Sequence, residues 1–165
     1  MAELVKQRPS QPGVDFPDAY KVARGWISEC LDSHEKCLKK SSPSVLPTRV
    51  LDLSDEYGTE KIKFKISKGL KAQYAALGYC WGSTKQLTTT QESLQSFTEE
   101  GIEATKLPKT LQDAIHVCRN LELRYLWIDS LCIIQDSPVD EAIEISMMPQ
   151  IYKRSSCCAF RSIGK

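Results

Sequence analysis

The sequence predicts an α/β protein: an open, mostly parallel sheet flanked by helices, with a leading helix and a β-hairpin at the edge of the sheet. Three observations carry this expectation. Tyr74 to Cys80 and Tyr125 to Ile128 are short, mostly apolar runs, the composition of strands covered on both faces. Each ends abruptly, the first in Trp81-Gly82 and a polar turn from Ser83, the second in Asp129-Ser130. Between and beyond them, apolar residues recur at three- and four-residue spacing, so strand and helix alternate, which implies right-handed crossovers and parallel strands.

The elements follow in chain order. Residues 1–18 carry Pro9, Pro12 and Pro17 with little apolar content and read as a flexible lead-in; residues 19–165 read as one domain. From Asp18, placed as an N-cap, to Lys39, the spacing of Ala19, Val22, Ala23, Trp26, Ile27, Cys30, Leu31 and Leu38 predicts an amphipathic helix. Arg49 to Leu53 and Lys61 to Ser67 predict a hairpin around a turn at Asp55 to Gly58. In its second strand Ile62, Phe64 and Ile66 alternate with Lys61, Lys63 and Lys65, and a row of exposed lysines guards an edge. A short helix is expected over Gln91 to Phe97. Another opens at Leu107, with Pro108 near its first turn and Leu111, Ala114, Ile115 and Cys118 on one face, and ends near Asn120. Val139 to Tyr152 reads as a helix that Pro149 should kink or stop near Ser146, because proline lacks the N–H and crowds the carbonyl four residues back. Cys157 to Phe160 reads as a last strand.

Composition narrows the function. A chain of 165 residues that is 41% hydrophobic buries about 70% of its unfolded surface in one core. Its 22 basic and 21 acidic residues leave a net charge of +1, no field to attract nucleic acid or an anionic membrane. The N-terminus lacks the apolar core of a signal peptide and no apolar run reaches the roughly 20 residues of a membrane span, so a cytoplasmic protein is expected. Seven cysteines, an odd number at irregular spacing, read as reduced and mostly buried thiols.

Four ordered motifs go further. Tyr74-Ala-Ala-Leu-Gly-Tyr-Cys-Trp-Gly, Leu107-Pro-Lys-Thr-Leu-Gln-Asp-Ala-Ile, Tyr125-Leu-Trp-Ile-Asp-Ser-Leu-Cys-Ile-Ile-Gln-Asp and Glu144-Ile-Ser-Met-Met-Pro-Gln-Ile-Tyr152 resemble, in order and spacing, the fungal heterokaryon incompatibility (HET) domain. The upstream Trp26, Cys30, His34 and Cys37, followed by Leu46-Pro-Thr-Arg-Val-Leu-Asp, resemble the lead-in common before that domain. The resemblance implies an effector of non-self recognition between fused fungal cells that triggers programmed cell death. It also implies a distant likeness to the TIR fold, a flavodoxin-like sandwich whose enzymatic members cleave NAD between nicotinamide and ribose. Two departures stand out. The family usually has a small residue where Pro149 sits, and its domain normally continues past the last motif, so a C-terminally truncated copy is expected.

Cleaving a nicotinamide–ribose bond passes through an oxocarbenium-like cation, which a nearby carboxylate stabilises. Glu144 matches the acidic position of the family motif and is the first catalytic candidate, with Glu141 second. An acid on a helix is ordinarily a solvated charge, so the catalytic role requires Glu144 to point into a cleft with Trp81 and Asp129 rather than out to solvent. The expected ligand contacts are Tyr79, Trp81, Gly82, Ser83, Asp129, Ser130 and Gln135, gathered just beyond the carboxyl ends of the two apolar strands. Trp81 would stack on a ring and Asp129 would orient a ribose hydroxyl; the bland alternatives are core packing and a loop cap.

Cys30, His34 and Cys37 share a helix face but lack an evident fourth ligand, so no metal is expected. His116 with Cys80 or Cys132 lacks an evident oxyanion hole or orienting partner as a base and nucleophile pair, and the cysteines read as core. No cofactor is implied beyond NAD as substrate. The expected partners are copies of the chain or other incompatibility and signalling proteins, with no nucleic acid and no membrane span. The alternative to an enzyme is a non-enzymatic interaction module or an inactive copy.

Overall fold

The computed structural model describes residues 17–33, 43–54, 61–79 and 87–161. Helix α1 (Pro17–Ser33) leads into strands β1 (Arg49–Asp52), β2 (Lys61–Ile66) and β3 (Tyr74–Tyr79). Helix α2 (Gln91–Glu99), the two-residue strand β4 (Ile102–Glu103), a 3-10 turn at Ala104–Lys106 and helix α3 (Lys109–Asn120) follow. Then come β5 (Tyr125–Ile128), the single turn α4 (Asp129–Cys132), α5 (Pro138–Arg154) and β6 (Cys157–Arg161).

The six strands lie in the order β4-β2-β1-β5-β3-β6. The expected α/β class is present, with a sheet of mixed direction. β3 runs parallel to β5 and to β6, whereas β1 pairs antiparallel with both β5 and β2, and β2 with β4. The hairpin therefore forms one half of the sheet, and β1 lies inside it with all four residues buried. The lysine-bearing β2 is covered on its outer side only by β4. Gly101 opens that short pairing at a φ of +80°, and a Cβ there would come within 3.0 Å of the Ile62 carbonyl oxygen, so the position requires glycine.

Alternation along the strands builds two cores. Leu51, Phe64, Ala75, Leu77, Leu126 and Ile128 face α3 and its buried Leu111, Ile115 and Cys118. Val50, Tyr74, Ala76, Tyr125 and Trp127 face α5, whose Ile151, Met148 and Tyr152 pack against them. Each fully buried aliphatic or aromatic side chain contributes about 1.5–3 kcal/mol relative to exposure. Ile66, expected to point inward, is half exposed as the last strand residue before the Lys68-Gly69 turn.

The helices match their sequence signals closely. α2 begins at Thr90, whose hydroxyl accepts from the Ser93 N–H while the Ser93 hydroxyl accepts from the Thr90 N–H. α3 starts just after Pro108 and ends at Asn120. α1 begins one residue earlier than expected, so Asp18 sits in its first turn rather than capping it, where its charge still complements the helix dipole. This helix docks through Tyr20, edge-on to His116, and through Arg24, which donates to the Asn120 carbonyl at 2.8 Å; Val22 and Trp26 stay half exposed.

One expectation is corrected: α5 neither stops nor breaks at Ser146 but runs through Pro149 to Arg154. Pro149 and Ile145, whose carbonyl loses its donor, are both exposed, so water can satisfy the freed group. No helix among the described residues is long and apolar enough to cross a membrane.

Candidate functional site

The helices that follow β3 in the chain, α2 and α3, pack on one face of the sheet, and α5, which follows the adjacent β5, packs on the other. Connections that diverge from neighbouring parallel strands open a crevice at the strands' carboxyl ends, the usual ligand position in such sheets. Tyr79 closes β3 on this side, its backbone paired with Arg161. Trp81, Gly82 and Ser83 follow it and lie outside the described residues.

On the β5 side the chain turns at once into α4. The Asp129 carboxylate, partly buried, accepts from the Ser130 N–H at 2.7 Å. Ser130 is fully buried and its carbonyl accepts from the Thr89 N–H. Gln135 donates its side-chain amide to the Asp129 and Ile133 carbonyls, both at 3.2 Å. Thr89, also fully buried, donates its hydroxyl to the Leu131 carbonyl at 2.6 Å and accepts the Gln135 N–H at 2.9 Å. Ser130 and Gln135 thus hold the loop together, and Asp129 is the expected contact whose side chain is only partly buried.

Beneath the same loop lies a second cluster. Arg49, the first residue of β1, is buried, and the β1–β5 register extended by two residues sets it opposite Ile128, beside Asp129. Its Nε donates to the Cys132 carbonyl at 2.7 Å and its guanidinium reaches Asp140 at 2.5 Å. Asp140 also accepts the Ile134 N–H at 2.9 Å, so arginine and acid grip the loop from both sides. The Glu144 carboxylate lies 3.5 Å from the same guanidinium and its side chain is only 3% exposed.

Asp140 and Glu144 share a helix face at four-residue spacing, which explains how one arginine meets both. Glu144 also lines a cavity of about 130 Å³ with Leu46, Pro47, Thr48, Tyr74 and Met147. At roughly 30 Å³ per molecule, a cavity of that size has room for several waters. Glu141, the second acidic candidate, is exposed on the outer side of α5.

Cys132 lies among these groups. Burial pushes its thiol up to about 12; the Ile128 N–H and Arg49 oppose the rise, and the Glu144 and Asp129 carboxylates add to it. A thiol so protonated at neutral pH is no nucleophile. His116 stands exposed on α3 against Tyr20 and Asn120, on the helix that covers the other core, so it does not serve Cys132 as a base. Cys118 is likewise pushed up to about 12, by burial and then by Cys157. Among the described residues no group of three or more His, Cys, Asp or Glu side chains could hold a metal ion. His34 and Cys37 lie outside them.

Sequence reasoning missed Arg49 and Asp140. The available signal was the helical spacing of Asp140, Glu144, Met148 and Ile151, which sets two acids on the apolar face of α5, where charges are tolerated only when paired.

Comparison with known proteins agrees with the motifs. A profile of the family described as heterokaryon incompatibility protein (HET) matches residues 74–164, more than half of the chain. The match spans β3 to β6 and so includes the carboxyl ends of both β3 and β5 and the whole of α5. No curated protein and no solved structure matches the chain.

Proposed function

Because the chain belongs to the heterokaryon incompatibility family, we propose that it is a cytosolic effector of fungal non-self recognition that kills by hydrolysing NAD at the nicotinamide–ribose bond. The observation that carries this reading is Glu144, a buried carboxylate beside a buried guanidinium and at the wall of a cavity. A carboxylate withdrawn from water stabilises a developing cation more strongly than a solvated one does.

In the proposed reaction the C–N bond breaks and nicotinamide leaves with the bonding pair. Positive charge then spreads over the ribosyl carbon and ring oxygen. Glu144 stabilises that charge and holds a water, which adds to the same carbon and releases its proton, giving ADP-ribose. Arg49, 3.5 Å away, orients the carboxylate. Asp129, at the rim of the crevice, is assigned a ribose hydroxyl; Tyr79, Trp81, Gly82 and Ser83 are assigned the remaining ligand contacts.

A second reading, a non-enzymatic signalling module, is favoured by one observation. Arg49 ties β1, α4 and α5 together through Cys132, Asp140 and Glu144, as a purely structural clamp would. The two readings separate on nicotinamide release from NAD by the purified chain at high concentration, beside Glu144→Gln, which keeps size and removes charge. Release by the wild type and at least about a hundredfold less by the folded variant is the expected result. No release from a folded wild type would give the site to the clamp.

A further inference from the structure

Helix α5 carries a second feature that the proposed chemistry does not use. Val139, Ile143 and Met147 recur every four residues and so share one face, and they are 72%, 57% and 45% exposed. Apolar side chains aligned on an exposed helix face mark an interaction surface more often than scattered ones do. Asp136, just ahead of the cap, and Arg154, the last helical residue, stand at the two ends of this stripe. Both are exposed, and the Arg154 side chain has no ion-pair partner among the described residues.

We propose that the stripe is where a second copy of this chain docks, α5 against α5 and antiparallel. The face is self-complementary. A two-fold axis midway between Ile143 and Met147 packs Ile143 of each copy on Met147 of the other. The midpoint of Asp136 and Arg154 falls at the same place, residue 145, so one axis also brings each aspartate to the other copy's arginine. An isologous contact requires this coincidence, and a surface evolved for an unrelated partner does not.

The charge order of the exposed residues agrees: Glu141 lies in the first turn and Lys153 and Arg154 in the last, so antiparallel pairing sets acid beside base. One five-turn helix per copy buries less than the about 1,200 Å² of a stable complex, which places the dimer in the transient class. Met147 and Arg154 also line the Glu144 cavity, so the second copy would sit beside its mouth. The inference does not depend on NAD chemistry.

Sedimentation of the full chain across the micromolar range tests it. A monomer–dimer equilibrium is expected. Ile143→Glu should weaken it at least about tenfold, the scale of a central interface residue. Ile145→Glu, half exposed on a different face of the same helix, should leave it unchanged. Arg154→Glu and Asp136→Lys should each weaken the dimer and together restore it. A monomer at every concentration, equal effects of the two isoleucine variants, or failure of the double swap to restore the dimer would overturn the proposal.

Discussion

Both ends of β1 meet an arginine–carboxylate cluster, and the two are built differently. At the far end Asp52 accepts from Arg124 through both oxygens at 2.9 Å and from the Ser54 N–H at 3.1 Å. One cation meets one anion in a fork, and the carboxylate is fully engaged. At the near end a single guanidinium serves the Cys132 carbonyl, Asp140 and Glu144. Asp140 takes the close contact, while Glu144 is held at 3.5 Å and also lines a cavity. Burial and pairing are common to both clusters. What distinguishes a clamp from a candidate site is the ratio of acids to bases and the presence of space beside the acid.

The comparison breaks most readily at Arg49. Arg49→Met would leave two acids under α5 without their cation, and removal of one partner from a buried ionic cluster costs about 3–5 kcal/mol. For a chain of this size, each 1 kcal/mol lowers the melting temperature by about 2–4 °C, so a fall on the order of 10 °C is expected by calorimetry. Arg124→Met, whose side chain is 39% exposed, should lower it by much less. Equal losses would mean that the two clusters carry the same load.

Acid titration sharpens the contrast. Burial alone would raise the Asp52 carboxyl, but the Arg124 side chain and the Ser54 N–H overcome this and hold it below its ordinary value of 3.8. Between the folded and unfolded values the unfolded chain binds more protons, so stability rises with pH in that window. The contribution is complete above about pH 4 and is lost as pH falls through the depressed folded value. Melting temperatures measured down to pH 2 should therefore drop more steeply below pH 4 in the wild type than in Asp52→Asn. Parallel curves would remove Asp52 from the account.

The smallest expected effect is on thiol labelling. Cys132 and Cys118, both raised to about 12 by burial, should stay unmodified by a maleimide at pH 7 in the folded chain while the half-buried Cys30 and Cys157 react. Site-resolved mass spectrometry reads this directly. Rapid native labelling of Cys132 would show that the loop over the Glu144 cluster opens.

Much of this architecture was legible in the chain, for physical reasons that also explain the gaps. The apolar runs at Tyr74 and Tyr125 announce strands covered on both faces, and Pro108 and the lysines of β2 are local signals that tertiary contacts do not override. The antiparallel pairing of β1 with β5 was not legible, because nothing in Arg49-Val-Leu-Asp52 says which strand it will join. β4 and α4 are too short to leave a periodic signal.

The site was half legible. Asp129 and Glu144 follow from position and motif, but Arg49 lies 95 residues from Glu144, and an arginine at the start of a strand reads as a surface charge until the fold buries it. Pro149 misled because its cost depends on whether the crowded carbonyl is wet, which the sequence does not state.

The central claim is that the acid at one end of β1 is held for chemistry and the acid at the other for stability. The most direct measurement sets Glu144→Gln beside Asp52→Asn and reads nicotinamide release and melting temperature on both. The account predicts that Glu144→Gln loses release while staying folded at the assay temperature, and that Asp52→Asn keeps release in proportion to its folded fraction. Release that follows folded fraction alone in both variants, or that survives in Glu144→Gln, would contradict it.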